Sequence, residues 1–152
     1  MLDIVKKHLA AFSSSNWADY RATLADDAVY EEVASLERVV GAAKFVASAQ
    51  RWKIAFPDFK ATITRGYTVG DRAIVELEWE GTQSGTLEGT FGTLPATGRR
   101  GRLNALVVFT VKQGKIVESR NYFDMLTMLS QLGVTPAIES AAHGARHKSA
   151  QI

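Results

Sequence analysis

The stretch Glu118-Ser119-Arg120-Asn121-Tyr122-Phe123-Asp124 places a carboxylate, a guanidinium, a phenol and a second carboxylate at alternate positions. Alternate residues of a β-strand share a face, so the four would stand in one row. Such a row suits acid/base chemistry on a carbonyl compound: a carboxylate takes a proton from carbon while a cation or phenol steadies the oxygen. Upstream, Tyr30-Glu31-Glu32 is a second set, and parity puts Tyr30 and Glu32 on one face. The histidines offer less. His8 follows Lys6-Lys7 and reads as a surface residue, while His143 and His147 lie in an aperiodic segment without a third ligand nearby. No metal site is therefore expected. Gly85, Gly89, Gly92 and Gly98 precede no helix and form no phosphate loop. The serines lack a nucleophile-elbow context.

The elements that must position the row follow from local pattern. Gln113-Gly114 separates two apolar-rich runs, 102–112 and 116–123, as a two-residue hairpin loop. Lys112 then faces Lys115, and the register sets Ile116, Glu118, Arg120, Tyr122 and Asp124 across from Val111, Phe109, Val107, Ala105 and Leu103. Charged groups opposite an apolar strand suit neither a solvated face nor a dry core. They suit a pocket wall. Asp124 also stands where the strand meets a helix, a favoured capping position.

Ahead of the hairpin come helices. Leu2, Val5, Leu9 and Phe12 form one stripe; Asn16 with Asp19 starts a second helix carrying Trp17, Tyr20 and Leu24, ended by Asp26-Asp27. A strand over 28–33 and a short one at Val39-Val40 precede a third helix with Phe45, Ala49, Trp52 and Phe56 along one side, stopped by Pro57. Phe59, Ala61 and Ile63, then Ala73, Val75, Leu77 and Trp79, alternate with polar residues, and Glu76, Glu78 and Glu80 make one face acidic. Residues 81–101 lose regular pattern and read as a flap with some local strand pairing.

Helices first and antiparallel sheet afterwards is an α+β order. We expect a curved sheet wrapped around the N-terminal helices into a cone, with an internal pocket lined by Trp17, Tyr30, Trp52, Trp79 and Tyr122. Such a pocket suits a hydrophobic or aromatic small molecule. Residues 1–133 form the single domain and 134–152 a loose tail. The chain has 152 residues, net charge +2 and no cysteine, which removes disulfides, thiol nucleophiles and thiolate metal sites. No basic patch interleaved with aromatics points to nucleic acid, and no apolar run approaches membrane-spanning length. The start, Met1-Leu2-Asp3-Ile4-Val5-Lys6-Lys7, lacks a signal-peptide pattern, so a cytoplasmic protein is expected.

Several segments carry a family resemblance: Asn16-Trp17, Leu24-Ala25-Asp26-Asp27-Ala28-Val29-Tyr30, Ala55-Phe56-Pro57-Asp58-Phe59, Trp79-Glu80-Gly81-Thr82, Leu94-Pro95-Ala96-Thr97-Gly98-Arg99-Arg100, Gly114-Lys115-Ile116-Val117-Glu118, Tyr122-Phe123-Asp124-Met125-Leu126 and Gln131-Leu132-Gly133. Together, over roughly 2–133, they resemble the SnoaL-like polyketide cyclases of the nuclear transport factor 2-like superfamily. The resemblance implies a cofactor-free acid/base enzyme acting on a polyketide-like or cyclic carbonyl compound by aldol-type cyclisation or isomerisation. Asp124 matches the family's acid/base Asp, with Arg120 and Tyr122 as polar pocket partners. Tyr30-Glu31-Glu32 resembles the strand end where ketosteroid isomerases place a base, which makes Glu32 a second candidate. The superfamily also implies alternatives: a non-catalytic small-molecule binder, an epoxide-hydrolase-like enzyme, or an interaction domain. It further implies a homodimer through the outer sheet face.

Overall fold

The computed structural model describes residues 1–134; the expected tail, with His143 and His147, lies outside the described residues. Helix α1 (Leu2–Ser13) buries Val5, His8, Leu9, Ala11 and Phe12. Residues 5, 8, 9 and 12 are one helical stripe, so His8 occupies a core position and not the surface expected from its lysine neighbours. It is 3% exposed. Asn16 accepts a hydrogen bond from the Asp19 amide and caps α2 (Trp17–Ala22). That helix stops before Asp26-Asp27. The buried Thr23 hydroxyl turns back onto the Tyr20 carbonyl at 2.6 Å, and β1 (Leu24–Glu32) begins at once, with both aspartates exposed on it. A one-turn 3-10 helix (Val33–Ser35) and β2 (Glu37–Val40) lead to α3 (Ala42–Ala55).

The long strands β3 (Lys60–Val69), β4 (Arg72–Thr82), β7 (Arg100–Lys112) and β8 (Lys115–Phe123) join β1 and β2 in a six-stranded sheet ordered β2-β1-β8-β7-β4-β3. Its neighbours run antiparallel except β1 and β8, which are parallel. A parallel pair needs a long crossover, and everything from α3 to β7 lies between these two strands. Ala73, Val75 and Leu77 of β4 and Ala105, Val107 and Phe109 of β7 fill the concave face and are buried with the helix stripes. On the convex face the acidic row is answered by arginines: Glu76 by Arg65, Glu78 by Arg102 and Glu80 by Arg100.

The β7–β8 hairpin turns where expected. Gln113 (φ 50°) and Gly114 (φ 72°) are both left-handed, the conformation of a tight hairpin turn, and Lys112 pairs with Lys115. The expected register survives only one step further. Val111 pairs with Ile116, but Thr110 pairs with Glu118, so Val117 is an extra residue on β8. A bulge of this kind shifts every later side chain to the opposite face. Ser119, Asn121 and Phe123 therefore stand across from Phe109, Val107 and Ala105. The ionisable row Glu118, Arg120 and Tyr122 points to the convex side, which reverses the parity expected from the turn alone.

The 81–101 segment does contain local pairing, β5 (Leu87–Gly89) against β6 (Gly92–Leu94). It is also anchored. Gln83, fully buried, donates to the Leu94 and Pro95 carbonyls and accepts from the Thr97 hydroxyl. The Gly85 amide donates to the Ala55 carbonyl, and any Cβ at Gly85 would lie 2.1 Å from the Ile54 carbonyl oxygen. Only glycine permits that approach. Leu87 then packs with Ala55, Phe56, Met128 and Leu132, bringing in α4 (Met125–Gln131) as a cover over one end of the sheet. Lys53 ties three segments: its ammonium donates to the carbonyls of Ser13 (2.9 Å), Pro57 (3.3 Å) and Phe59 (2.8 Å). Among the described residues no helix is long and apolar enough to cross a membrane.

Two predictions follow from this packing. Replacing Gln83 by Ala removes its hydrogen bonds to two carbonyls and leaves the Thr97 hydroxyl proton without its acceptor, and lowers stability by about 2 kcal/mol, read by urea denaturation. Burial depresses the His8 pKa from 6.5 to about 3, so the ring stays neutral in the fold but becomes cationic in the unfolded chain below pH 6.5. Its contribution to stability is complete above 6.5 and is lost as pH falls from there towards 3. The slope is up to about 1.4 kcal/mol per pH unit. Between pH 7 and 5 the wild type should therefore lose stability that a His8→Phe variant does not lose.

Candidate functional site

A cavity of about 70 Å³ lies between the helices and the concave face of β7 and β8. That is several times the ~10–15 Å³ that admits one water. Phe12, Phe45, Trp52, Phe59, Trp79, Phe109 and Phe123 give it aromatic walls, and Met128 reaches it from α4. The rings brace one another: Phe59 lies 5.0 Å from Trp79 and 6.0 Å from Trp52, and Trp52 meets Phe123 edge-on at 5.9 Å. Such contacts hold an apolar wall in shape. The polar groups on the lining are His8, Tyr20, Tyr30, Ser119 and Asn121.

Behind the wall lies Glu32, at the end of β1 and 2% exposed. Its Oε2 accepts from the Tyr30 hydroxyl at 2.7 Å and from Trp52 Nε1 at 2.9 Å, and its Oε1 accepts from the Ser35 hydroxyl at 2.7 Å. Burial raises its pKa above the ordinary carboxylate value, and the three donors offset part of that rise. Burial, then the Glu32 charge, pushes the Tyr30 phenol well above its usual value. A buried carboxylate linked through a phenol to an apolar cavity is an arrangement able to hold or release a proton away from bulk water.

The residues singled out by sequence divide into groups. Tyr30, Trp52 and Trp79 line the cavity, and Glu32 joins them one layer behind. Trp17 sits one layer out in another direction, packed edge-on against Phe12 (6.3 Å) and Tyr20 (5.7 Å) and not on the cavity lining. Arg120 and Tyr122 are carried outward by the Val117 bulge. Arg120 bonds Glu31 at 3.0 Å, across the parallel β1–β8 pairing, and Tyr122 is 37% exposed. Asp124 is exposed and caps α4. Its carboxylate accepts from the Thr127 hydroxyl at 2.8 Å and from the amides of Leu126 (3.0 Å) and Thr127 (3.3 Å). Those donors, the Thr127 side chain first, hold it below the usual carboxylate range. The expected acid/base row is thus split between a surface ion pair and a helix cap.

Polar lining residues that the sequence does not single out include Ser119, Asn121 and His8. Ser119 and Asn121 share the strand with the expected row but sit on its other face, and only the bulge turns them inward. His8 could have been found from the stripe Val5, His8, Leu9, Phe12, which is visible in the sequence. Among the described residues no group of three or more His, Cys, Asp or Glu could hold a metal ion.

The architecture is shared with known proteins. The chain is similar to the crystal structure of wild-type IdmH, a putative polyketide cyclase from Streptomyces antibioticus, at 28% identity and TM-score 0.74, covering 87% of this chain and 97% of that one. A putative SnoaL-like polyketide cyclase from Jannaschia sp. CCS1 matches at 19% identity and TM-score 0.78, over 89% and 92% of the two chains. An epoxide hydrolase of M. tuberculosis described as LEH-like matches at 24% identity and TM-score 0.67, over 86% of each chain. No curated protein matches the chain. The family model for SnoaL-like polyketide cyclases matches residues 2–132, and the chain belongs to that family.

Proposed function

We propose that this protein is a cofactor-free acid/base enzyme acting on a small cyclic carbonyl compound held in the aromatic cavity, with Glu32 as the proton store and Tyr30 as the group that touches the ligand. One observation carries this reading: a carboxylate buried to 2% exposure, with a raised pKa, bonded at 2.7 Å to a phenol that lines the cavity. Burial makes the carboxylate a stronger base than one in water, and the apolar wall keeps competing water away.

The proton inventory closes. A C–H bond beside the ligand carbonyl breaks, and its proton passes to the Tyr30 oxygen while the Tyr30 proton moves to Glu32 Oε2. The electron pair stays on the ligand as an enolate. In an isomerisation the relay runs backwards and returns the proton to a different carbon. In an aldol closure the enolate carbon bonds a second carbonyl carbon, whose oxygen takes the returning proton. Neither course changes oxidation state. The cavity of about 70 Å³ is smaller than the ~150 Å³ that takes up benzene, so a ring-sized ligand displaces part of the wall. Met128, unbranched and carried on the short α4 cover, is the side chain suited to give way.

The test is α-deuterium washout from a deuterated cyclic ketone such as cyclohexanone, followed by NMR with the intact protein. Glu32→Gln keeps the shape and removes the proton store, and should slow exchange roughly 10²–10⁴-fold. Asp124→Asn, at the helix cap, should exchange like the wild type. Equal rates for Glu32→Gln and wild type, or loss of exchange in Asp124→Asn, would overturn the assignment. Retention of ligand with no exchange above buffer in the wild type would make the protein a binder.

A further inference from the structure

The cavity's polar lining identifies the ligand group that it recognises. His8 Nδ1 lies 2.7 Å from the Thr23 hydroxyl oxygen. That hydroxyl sends its own proton to the Tyr20 carbonyl at 2.6 Å. Thr23 can therefore only accept from His8, and the imidazole proton must reside on Nδ1. Nε2 is left as a bare lone pair, with no partner among the described residues. The ring cannot swing away from this orientation. It stacks on Tyr20 at 4.0 Å and meets the edges of Phe45 (5.8 Å) and Phe109 (5.7 Å).

Asn121 supplies a second acceptor. Its amide oxygen Oδ1 is buried and unpartnered among the described residues. Both residues line the cavity. Each carries an acceptor atom that holds no proton, His8 Nε2 and the buried Asn121 Oδ1, whereas the Ser119 and Tyr20 hydroxyls can turn to give or take one. An unpaired buried acceptor is costly, and a ligand that supplies a donor recovers that cost.

We infer that His8 Nε2 and Asn121 Oδ1 are the recognition acceptors of this cavity, and that its ligand is a compact ring compound bearing a hydroxyl donor, a phenol or an enol. This rests on the acid/base reading in one respect: the enol is the form that Tyr30 and Glu32 would generate from a ketone. A saturated hydrocarbon or an ether of the same size gives the two acceptors nothing.

Phenol and fluorobenzene test the inference, because they match closely in size and only phenol donates. Titrations followed by NMR on the intact protein should show phenol binding roughly five- to tenfold more tightly. The ¹⁵N resonance of His8 Nε2 should move with phenol and stay still with fluorobenzene. His8→Phe, which keeps the ring stack, and Asn121→Leu should each reduce the preference. Equal affinities, or an unmoved Nε2 resonance at saturating phenol, would overturn the inference, and the resonance reads this in the wild type even if a variant fails to fold. The two proposals fail separately. Phenol preference in a protein whose Glu32→Gln variant exchanges deuterium normally sinks the enzymatic reading alone. Equal binding of both probes with exchange lost in Glu32→Gln sinks this one alone.

Discussion

One extra residue in β8 decides what this cavity is. A strand sorts its side chains strictly by parity, so the insertion of Val117 exchanges the two faces for everything that follows it. Without it, Arg120 and Tyr122 would confront the buried Val107 and Ala105, and the desolvation of a guanidinium would oppose folding. With it, the guanidinium meets Glu31 at the surface, and Ser119, Asn121 and Phe123 complete an apolar wall with a small neutral polar content. The bulge converts a charged strand into one that can close a core.

Three of the ionisable groups that remain inside are held by specific partners. Glu32 has three donors, His8 has Thr23, and Lys53 has three carbonyls. Buried polar groups are tolerated on that condition. Asn121 Oδ1 departs from it, on a residue that lines the cavity. The disposition separates two jobs. Lys53 and Gln83 fasten loops and helix ends to the cone, while Tyr30, backed by Glu32, together with His8 and Asn121 supplies polar groups to a largely apolar cavity.

Much of the architecture was legible. The hairpin turn, the inward alternation of β4, the α1 stripe and the helix opening at Asp124 all depend on short-range pattern, and each stands where pattern put it. The misplaced site residues depend on things that pattern does not encode. Val117 is an ordinary strand former, and nothing in its neighbours marks it as the residue that will be skipped in pairing. The skip shows only in the pairing of β8 with its neighbours, and one of them, β1, is remote in sequence. Asp124 matched a family motif by position, and position along a strand says nothing of direction once a bulge intervenes. His8 was legible from its helical period but was masked by the lysines beside it. Glu32 could be placed on the correct face by parity with Tyr30, while its partners Trp52 and Ser35 come from elements brought in by the fold.

The measurement that bears most directly on this account is a ¹³C NMR titration of the side-chain carboxyls in the free protein. Glu32 should titrate above the ordinary glutamate range and Asp124 below the ordinary aspartate range, because one is buried behind the wall and the other is hydrogen-bonded as an exposed cap. A Glu32 that titrates as it does in a free peptide, or an Asp124 raised in its place, would contradict the claim that the working carboxylate lies behind Tyr30.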